Sequence, residues 1–501
     1  MDLKRLAHSA KSIFYLDIRS ITLFRVLLGS IFLPYSLWLW SQASIFFGYY
    51  GLISAERAWL YSRGTFLFPV LYWTPHPLLL HFLMATLTLS AICFLVGYRS
   101  SLFAMIGWYC LNCLTARNPF SWHGGDALFR VALFWSTFLP MDTRWALRKK
   151  AWDPKFNQVY SLATIAVILQ MFVEYLCAGL AKFGPVWPQG YGVYMVSHLT
   201  IFGNVLTPYL RSLNLTFLKA LSHWTYLSEI IAPFLLFIPG RRGWNRILFF
   251  LIFLGLHAAI AIFMYLDIFP YTCIAFLCLL LPSQLWDRFS GITPNIKIIQ
   301  FSKPTSAILV FSVCLILIVH PMKSILILIQ TQSQFFFQMK RLEMNLGLFQ
   351  EWHLFSYPTH HVDDVWYVVE GFTADGEIID VSRGGKTPLY QAPLNRQDAF
   401  ENVLWGKYVQ SMENGGHRYF GLAMPNYYCK SWNALHPDQL VQKVRVTSLH
   451  QQMPYPGDSL KPPYRTYSYT MPCFETKPEE PPTKEYNKSS PRALVLSTFS
   501  E

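Results

Sequence analysis

Nearly uncharged apolar runs recur through the first two thirds of this chain, and they leave a lipid bilayer as the solvent it folds in. A hydrocarbon core is crossed by about 20 apolar helical residues, because each backbone polar group must be satisfied within its own segment. Runs of this kind lie at about Ile21 to Trp40, Leu78 to Val96, Leu102 to Leu114, Ala127 to Leu139 and Val159 to Ala181. Others follow at Trp224 to Ile238, Ile247 to Met264, Phe269 to Leu281 and Thr305 to Val319. They predict a polytopic α-helical membrane protein with about nine spans. Charged residues make up 14% of the chain, against roughly 25% in soluble domains. The stretch after Gln330 has ordinary soluble composition.

The basic residues fix an expected orientation. With a cytoplasmic N-terminus, one set of loops holds Lys4, Arg5, Lys11, Arg19, Arg99, Arg144, Arg148, Lys149, Lys150, Lys155, Arg241, Arg242, Arg246, Arg288, Lys297 and Lys303, 16 in all. The opposite loops hold 6: Arg57, Arg63, Arg117, Lys182, Arg211 and Lys219. The positive-inside rule then places the N-terminus inside, and an odd number of spans puts the C-terminal region outside. These loops account for most of the net charge of +13 without any nucleic-acid partner. The first apolar run begins after Asp17-Ile18-Arg19 and lacks a small-residue cleavage site, so it is expected to remain as a signal anchor.

Four regions are expected: a cytoplasmic N-terminus at 1–20, a transmembrane domain at 21–329, an extracytoplasmic α+β domain at 330–472, and a disordered tail at 473–501 rich in Pro, Glu, Lys and Ser. In the third region, β-prone runs flank Asp375-Gly376 and predict a hairpin. Helical patterns near Arg396 to Glu413 and a strand near Leu440 to Ser448 complete it. The aromatic loop from Ala43 to Pro77 suits an interfacial cap. The Pro- and Gly-marked stretch from Phe183 to Ser222 suits a half-buried or re-entrant element. Most of the nine cysteines lie in predicted spans as small apolar fillers. Cys429 and Cys473 are candidates for a disulfide on an oxidising side. The pair Cys110 and Cys113, and the cluster His360-His361 with Asp363-Asp364, have metal-binding composition without ligand geometry, and no metal is expected.

Ionisable side chains at membrane depth mark candidate sites. Three lie toward the outer side: His123 at the mouth of the fourth span, Lys182 at the end of the fifth, and His257 within the seventh. Glu174, His223, Glu229, Arg130 and Asp126 are candidates for a surrounding shell. Lys182 follows Ala178, Gly179 and Ala181, small residues that let another helix approach closely. A lysine there either snorkels to the interface or sits desolvated as a neutral amine. In the second case it can take a proton from a quinol, phenol or thiol, with a histidine orienting the acceptor or stabilising the anion. In the first, the histidines are hydrogen-bonded core residues.

At these residues the chain resembles the horizontally transferred transmembrane (HTTM) family, whose membrane domain is shared with vitamin K-dependent gamma-carboxylase. The resemblance runs from Asp17-Ile18-Arg19 and Phe24-Arg25 to about Pro282, through Gly97-Tyr98-Arg99 and Asn118-Pro119. Its most specific parts are Ala178-Gly179-Leu180-Ala181-Lys182 with Trp187 and Gly190, and His257 followed by Phe269-Pro270-Tyr271. The resemblance implies Lys182 as the base that deprotonates a vitamin K-type hydroquinone, His257 and His123 as the two functional histidines, and glutamate carboxylation, a carbon–carbon lyase type of reaction, as the chemistry. Ala181 stands where the carboxylase has the first of two lysines. Gln350-Glu351-Trp352-His353-Leu354-Phe355 and Pro358 instead resemble the C-terminal part of shorter bacterial members.

The leading expectation is therefore a quinol-linked modifying enzyme of a bacterial-type inner membrane, with a reduced quinone as cofactor. The competing one is a non-enzymatic maturation or export factor that holds a peptide or protein client through its outer domain. A dry pocket around Lys182 and His257 favours the first, and a packed bundle favours the second.

Overall fold

The computed structural model describes residues 11–62, 67–73, 76–153, 155–182, 184–238, 243–288, 295–328, 334–352, 355, 363–412 and 422–474. The chain enters through a short strand β1 (Leu16–Asp17) into the long helix α1 (Ile18–Ser41). Asp17 caps it by accepting from the Arg19 backbone N–H at 2.7 Å. Helix α2 (Pro77–Val96) starts on a proline, whose missing N–H is harmless at a first turn, and ends on Gly97 in the left-handed region. Helices α3 (Ser100–Arg117) and α4 (Gly124–Ser136) follow. Next come strand β2 (Gln158–Tyr160) and helix α5 (Leu162–Ala181), capped reciprocally by Ser161 and Thr164. Helices α6 (Leu215–Ile231), α7 (Trp244–Phe263) and α8 (Phe269–Leu279) complete the central bundle. Aromatic pairs such as Phe24–Phe276 and Phe32–Phe129, with ring centroids 5.2 and 5.4 Å apart, lie in its core.

After strand β3 (Ile296–Ile298), helix α9 (Lys303–Cys314) continues through a wide π turn at Leu315–Val319 into a helix at His320–Leu328. Five helices, counting Lys303–Lys323 as one, are long and apolar enough to cross a membrane among the described residues. The chain is thus a multi-pass helical membrane protein. The sixth expected span differs most from its helix. Regular α-helix begins earlier, at Leu215, and gives way at Ala232–Phe237 to a tighter turn that starts beside Pro233. The stretch from Phe183 to Ser222 holds short helices at Gly192–Ser197 and Thr207–Arg211 before it enters α6.

Helix α10 (Gln334–Asn345) returns to the bundle, where buried Glu343 meets Lys323. Beyond it stands a four-stranded antiparallel sheet of order β5-β4-β6-β7: β4 (Asp363–Thr373), β5 (Ile378–Asp380), β6 (Val441–Gln452) and β7 (Tyr464–Pro472). The hairpin around Asp375-Gly376 forms as expected, with Phe372 opposite Ile378. Helices α11 (Val403–Ser411) and α12 (Ala423–Leu435) accompany the sheet. Strand β7 was not foreseen: it is an edge strand with most of its side chains exposed, so it carries no buried alternation to read. Cys429 and Cys473 are disulfide-bonded. His360-His361 and the tail at 475–501 lie outside the described residues.

The bundle has two different ends. At one, β1, β2 and β3 form a small sheet, Arg19 bridges Asp17 and Asp287, and Arg246 donates to the carbonyls of Ile13 and Tyr15. At the other sits the four-stranded sheet region. There Asn402 Nδ2 donates to Gln42 Oε1 at 3.0 Å, Thr200 donates to Asp364, and Trp405 packs edge-on against Phe46.

Candidate active site

Helix α5 carries Gln170, Glu174, Tyr175 and Ala178 and ends at Lys182, its C-cap residue. A Cβ on Gly179 would sit 2.8 Å from Ile230 Cγ1 and 3.0 Å from the Glu229 backbone carbon. Only a residue without a side chain lets α6 approach α5 this closely. That approach carries Glu229 to Lys182, with Nζ 2.5 Å from Oε2 and both side chains buried. The amine also donates to the Ala178 carbonyl at 3.2 Å and lies 5.3 Å from the centre of the Trp187 ring. Neither sequence alternative describes this arrangement. Lys182 does not snorkel, since it is 3% exposed, and it is not a lone amine, because the close helix crossing that buries it also delivers a carboxylate.

Lys182, Glu229, Glu174, Tyr175 and His257 line one partly enclosed cavity of about 100 Å³. Val193, Val196, Leu210, Leu256, Ile260, Met264 and Phe269 give it an apolar wall, and Trp187, Trp352 and Phe355 complete it. His257 Nε2 and the Tyr175 hydroxyl are 2.8 Å apart, which fixes the imidazole ring. Among the described residues, buried His257 Nδ1 and Glu174 Oε2 have no hydrogen-bond partner. Buried polar atoms are normally satisfied, so two unpaired ones on an apolar cavity are acceptor or donor positions for a polar ligand group.

Trp352 and Phe355 come from far along the sequence. The Gln350 and Gln170 side-chain amides bond reciprocally at 2.7 and 3.2 Å, and Trp352 Nε1 donates to Gln350 Oε1 at 3.0 Å. Trp187 Nε1 donates to the Phe355 carbonyl at 2.7 Å. The Lys182 motif and the Gln350-to-Phe355 motif, read separately in the sequence, thus close one cavity.

His123 does not line this cavity. It caps α4, its Nδ1 accepting from the Gly125 N–H at 2.9 Å, and Asp126 Oδ2 accepts in turn from the His123 backbone N–H. Phe269 stands between the two sites: its ring centre is 5.7 Å from that of His257, and its Cβ lies against Gly125. The Tyr35 hydroxyl donates to Asp126. Lys407 of α11 reaches 2.9 Å from Asp126 and 3.0 Å from Asp267. Burial disfavours the Lys407 charge, but these two carboxylates outweigh it and raise its pKa above the usual lysine value.

Of the expected shell, Glu174 and Glu229 reach the cavity. Asp126 serves the Lys407 cluster, Arg130 bonds Asn112 and Thr115 on α3, and His223 bonds the Pro188 carbonyl. Lys407 was missed, although a single lysine in Val403-Leu404-Trp405-Gly406-Lys407-Tyr408-Val409 is a signal of a buried ion pair. Asp363 accepts from the Tyr464 hydroxyl and Asp364 from Thr200, so hydrogen bonds account for both. Among the described residues no group of three or more His, Cys, Asp or Glu could hold a metal ion.

Residues 15–286, just over half of the chain, match the HTTM domain. No solved structure matches the chain.

Proposed function

The chain belongs to the HTTM family, and on that premise we propose that it is a membrane enzyme working on a lipid-soluble phenol or quinol in the Lys182–His257 cavity. One observation carries the reading: an apolar cavity at the end of α5 gathers an amine, two carboxylates and an imidazole, and two of their buried atoms have no partner among the described residues. A structural ion pair needs no cavity, and a packed client-binding bundle needs no unpaired polar atoms.

A reduced vitamin K-type quinone fits this lining. The apolar wall suits its ring, and Glu174 Oε2 and His257 Nδ1 suit its polar oxygens. When bound, such a hydroquinone supplies the oxygen-reactive ring that glutamate carboxylation, the carboxylase-like lyase reaction, requires. Lys182 and Glu229 set an amine 2.5 Å from a carboxylate on the cavity, and that pair would take up a proton from a hydroxyl bound there, while the apolar wall keeps bulk water away. His257, its ring fixed by the Tyr175 hydroxyl at 2.8 Å, would orient a hydroxyl oxygen held in the cavity and favour negative charge on it. His123 supports the site from behind Phe269, through Asp126 and the cap of α4.

The same reading sets the chain in a bacterial-type inner membrane with nine passes, the N-terminus inside and the sheet region outside. The excess of basic residues in one set of loops supports this, as does the separation of the β1–β2–β3 sheet from the four-stranded sheet at opposite ends of the bundle. A peptide or protein substrate then meets the enzyme on the outer side.

Mass spectrometry of lipids extracted from the purified protein tests the proposal. A quinone or phenolic lipid retained by the native chain and lost in Lys182→Met is expected. Equal retention by both, or none by the native chain, overturns it.

A further inference from the structure

At the end of the bundle that carries β1, the chain presents cations and large apolar side chains on one short, rigid loop. Trp145 and Leu147 are 58% and 76% exposed. Arg148, Lys149 and Lys150, immediately after them, are exposed as well. A loop this exposed is usually free to move, but its backbone is tied down. The Trp145 carbonyl accepts from Arg25 Nη2 at 2.5 Å, and the same guanidinium donates to the carbonyls of Phe94 and Leu95 at the end of α2. The Leu147 N–H donates to Val96 at 2.8 Å, the Arg148 N–H to Gly97 at 3.2 Å, and the Lys150 N–H to the Asp142 carbonyl at 2.8 Å. Gly97 is required for the fit. It has φ +76°, and a Cβ there would lie 2.6 Å from Ala146 and 2.7 Å from Arg25 Nη1.

Among the described residues the charge on this loop is uncompensated. Among the described residues Asp153 pairs with Lys155 at 2.9 Å, and no carboxylate forms an ion pair with Arg148, Lys149 or Lys150. The Asp142 carboxylate is turned inward to accept from the Ser100 N–H. The Arg148 guanidinium lies 5.9 Å from the centre of the Tyr98 ring, itself 36% exposed. Tryptophan and tyrosine settle at headgroup level in a bilayer, and basic groups beside a membrane surface are drawn to anionic lipids. A partner covering this loop therefore has to offer hydrocarbon to Trp145 and Leu147 and negative charge to the three cations beside them.

We propose that the loop from Trp145 to Lys150 is a fixed binding site for an anionic phospholipid, with Trp145 and Leu147 against the acyl region and Arg148, Lys149 and Lys150 around the headgroup phosphate. The site is distinct from the Lys182 cavity and does not depend on any activity there. Each basic residue near an anionic surface contributes about a fivefold change in affinity, so removing all three weakens binding about a hundredfold.

The test is native mass spectrometry of the full chain in detergent, titrated with phosphatidylglycerol or phosphatidylcholine. The native protein is expected to hold phosphatidylglycerol in preference to phosphatidylcholine. The triple variant Arg148→Ser/Lys149→Ser/Lys150→Ser is expected to lose that preference, while Lys461→Ser, an exposed change in the sheet region, keeps it. The triple variant alters only exposed side chains, and an unchanged unfolding temperature verifies its fold. A triple variant that retains the preference, or displacement of phosphatidylglycerol by an excess of inorganic phosphate alone, overturns the proposal.

Discussion

Glu229 and Lys182 offer the sharpest test of what this buried pair is for. Each is the other's charged partner at 2.5 Å, with side chains 9% and 3% exposed. Removing one member of a buried pair costs about 3–5 kcal/mol, because the other is left uncompensated, whereas replacing both by apolar residues of similar volume is often near neutral. Lys182→Met is therefore expected to destabilise by about 3–5 kcal/mol, and Glu229→Leu by a similar amount. The double variant Lys182→Met/Glu229→Leu is expected to recover most of the loss, giving a coupling of about 3 kcal/mol or more. Reversible unfolding in mixed micelles, read by tryptophan fluorescence, measures the cycle. The double variant also separates structure from chemistry: it is expected to be stable and yet retain no quinone or phenolic lipid. Single-variant effects that simply add, with coupling below about 0.5 kcal/mol, would refute the buried-pair reasoning.

Lys407→Met leaves Asp126 and Asp267 facing each other without a cation and is expected to loosen the sheet region from the bundle by about 3–5 kcal/mol, seen as faster limited proteolysis between α10 and β4. Burial pushes the Asp364 carboxyl up to about 6, although Thr200 and Arg211 favour its charged form. A carboxyl raised in the folded state binds its proton more tightly there, so its stabilising contribution is complete below its ordinary value near 4 and is lost as pH rises through 6. Thermal unfolding is expected to show a gain of about 2 kcal/mol between pH 7 and pH 4 that Asp364→Asn abolishes. Glu370, pulled down by Arg445 and Tyr390 against its burial, acts in the opposite sense below its ordinary value. Reducing the Cys429–Cys473 bridge releases a loop spanning 44 residues and is expected to destabilise the sheet region by about 4 kcal/mol in the chain-entropy account, measured by unfolding with and without reductant.

The helices were legible because hydrocarbon admits only long apolar runs, and the ends of α2 and α5 fall where Gly97 and Lys182 place them. The tight turn at Ala232–Phe237 and the π turn at Leu315–Val319 were not legible. The first starts beside Pro233, which a hydropathy reading does not weigh, and the second lies within an apolar run that leaves no mark on hydropathy. The cavity was half legible. Gly179 announced a close helix approach and Glu229 was named as a neighbour, but nothing local said that the approach would join carboxylate to amine. Trp352 and Phe355 could not be placed there from spacing, because Gln350 reaches Gln170 only in three dimensions. Lys407 was passed over because one cation in a soluble helix ordinarily faces water, whereas this one points down between two carboxylates of the membrane bundle.

Trp187 and Trp352 stand in the wall of the cavity, and a quinone quenches tryptophan on contact. Titrating the native chain with a short-chain naphthoquinone should therefore give a saturable quench superimposed on simple partitioning into the micelle. The account predicts that this saturable part disappears in Trp187→Phe/Trp352→Phe. A quench that never saturates in the native chain, or one that survives loss of both indoles, would contradict a ligand site beside Lys182.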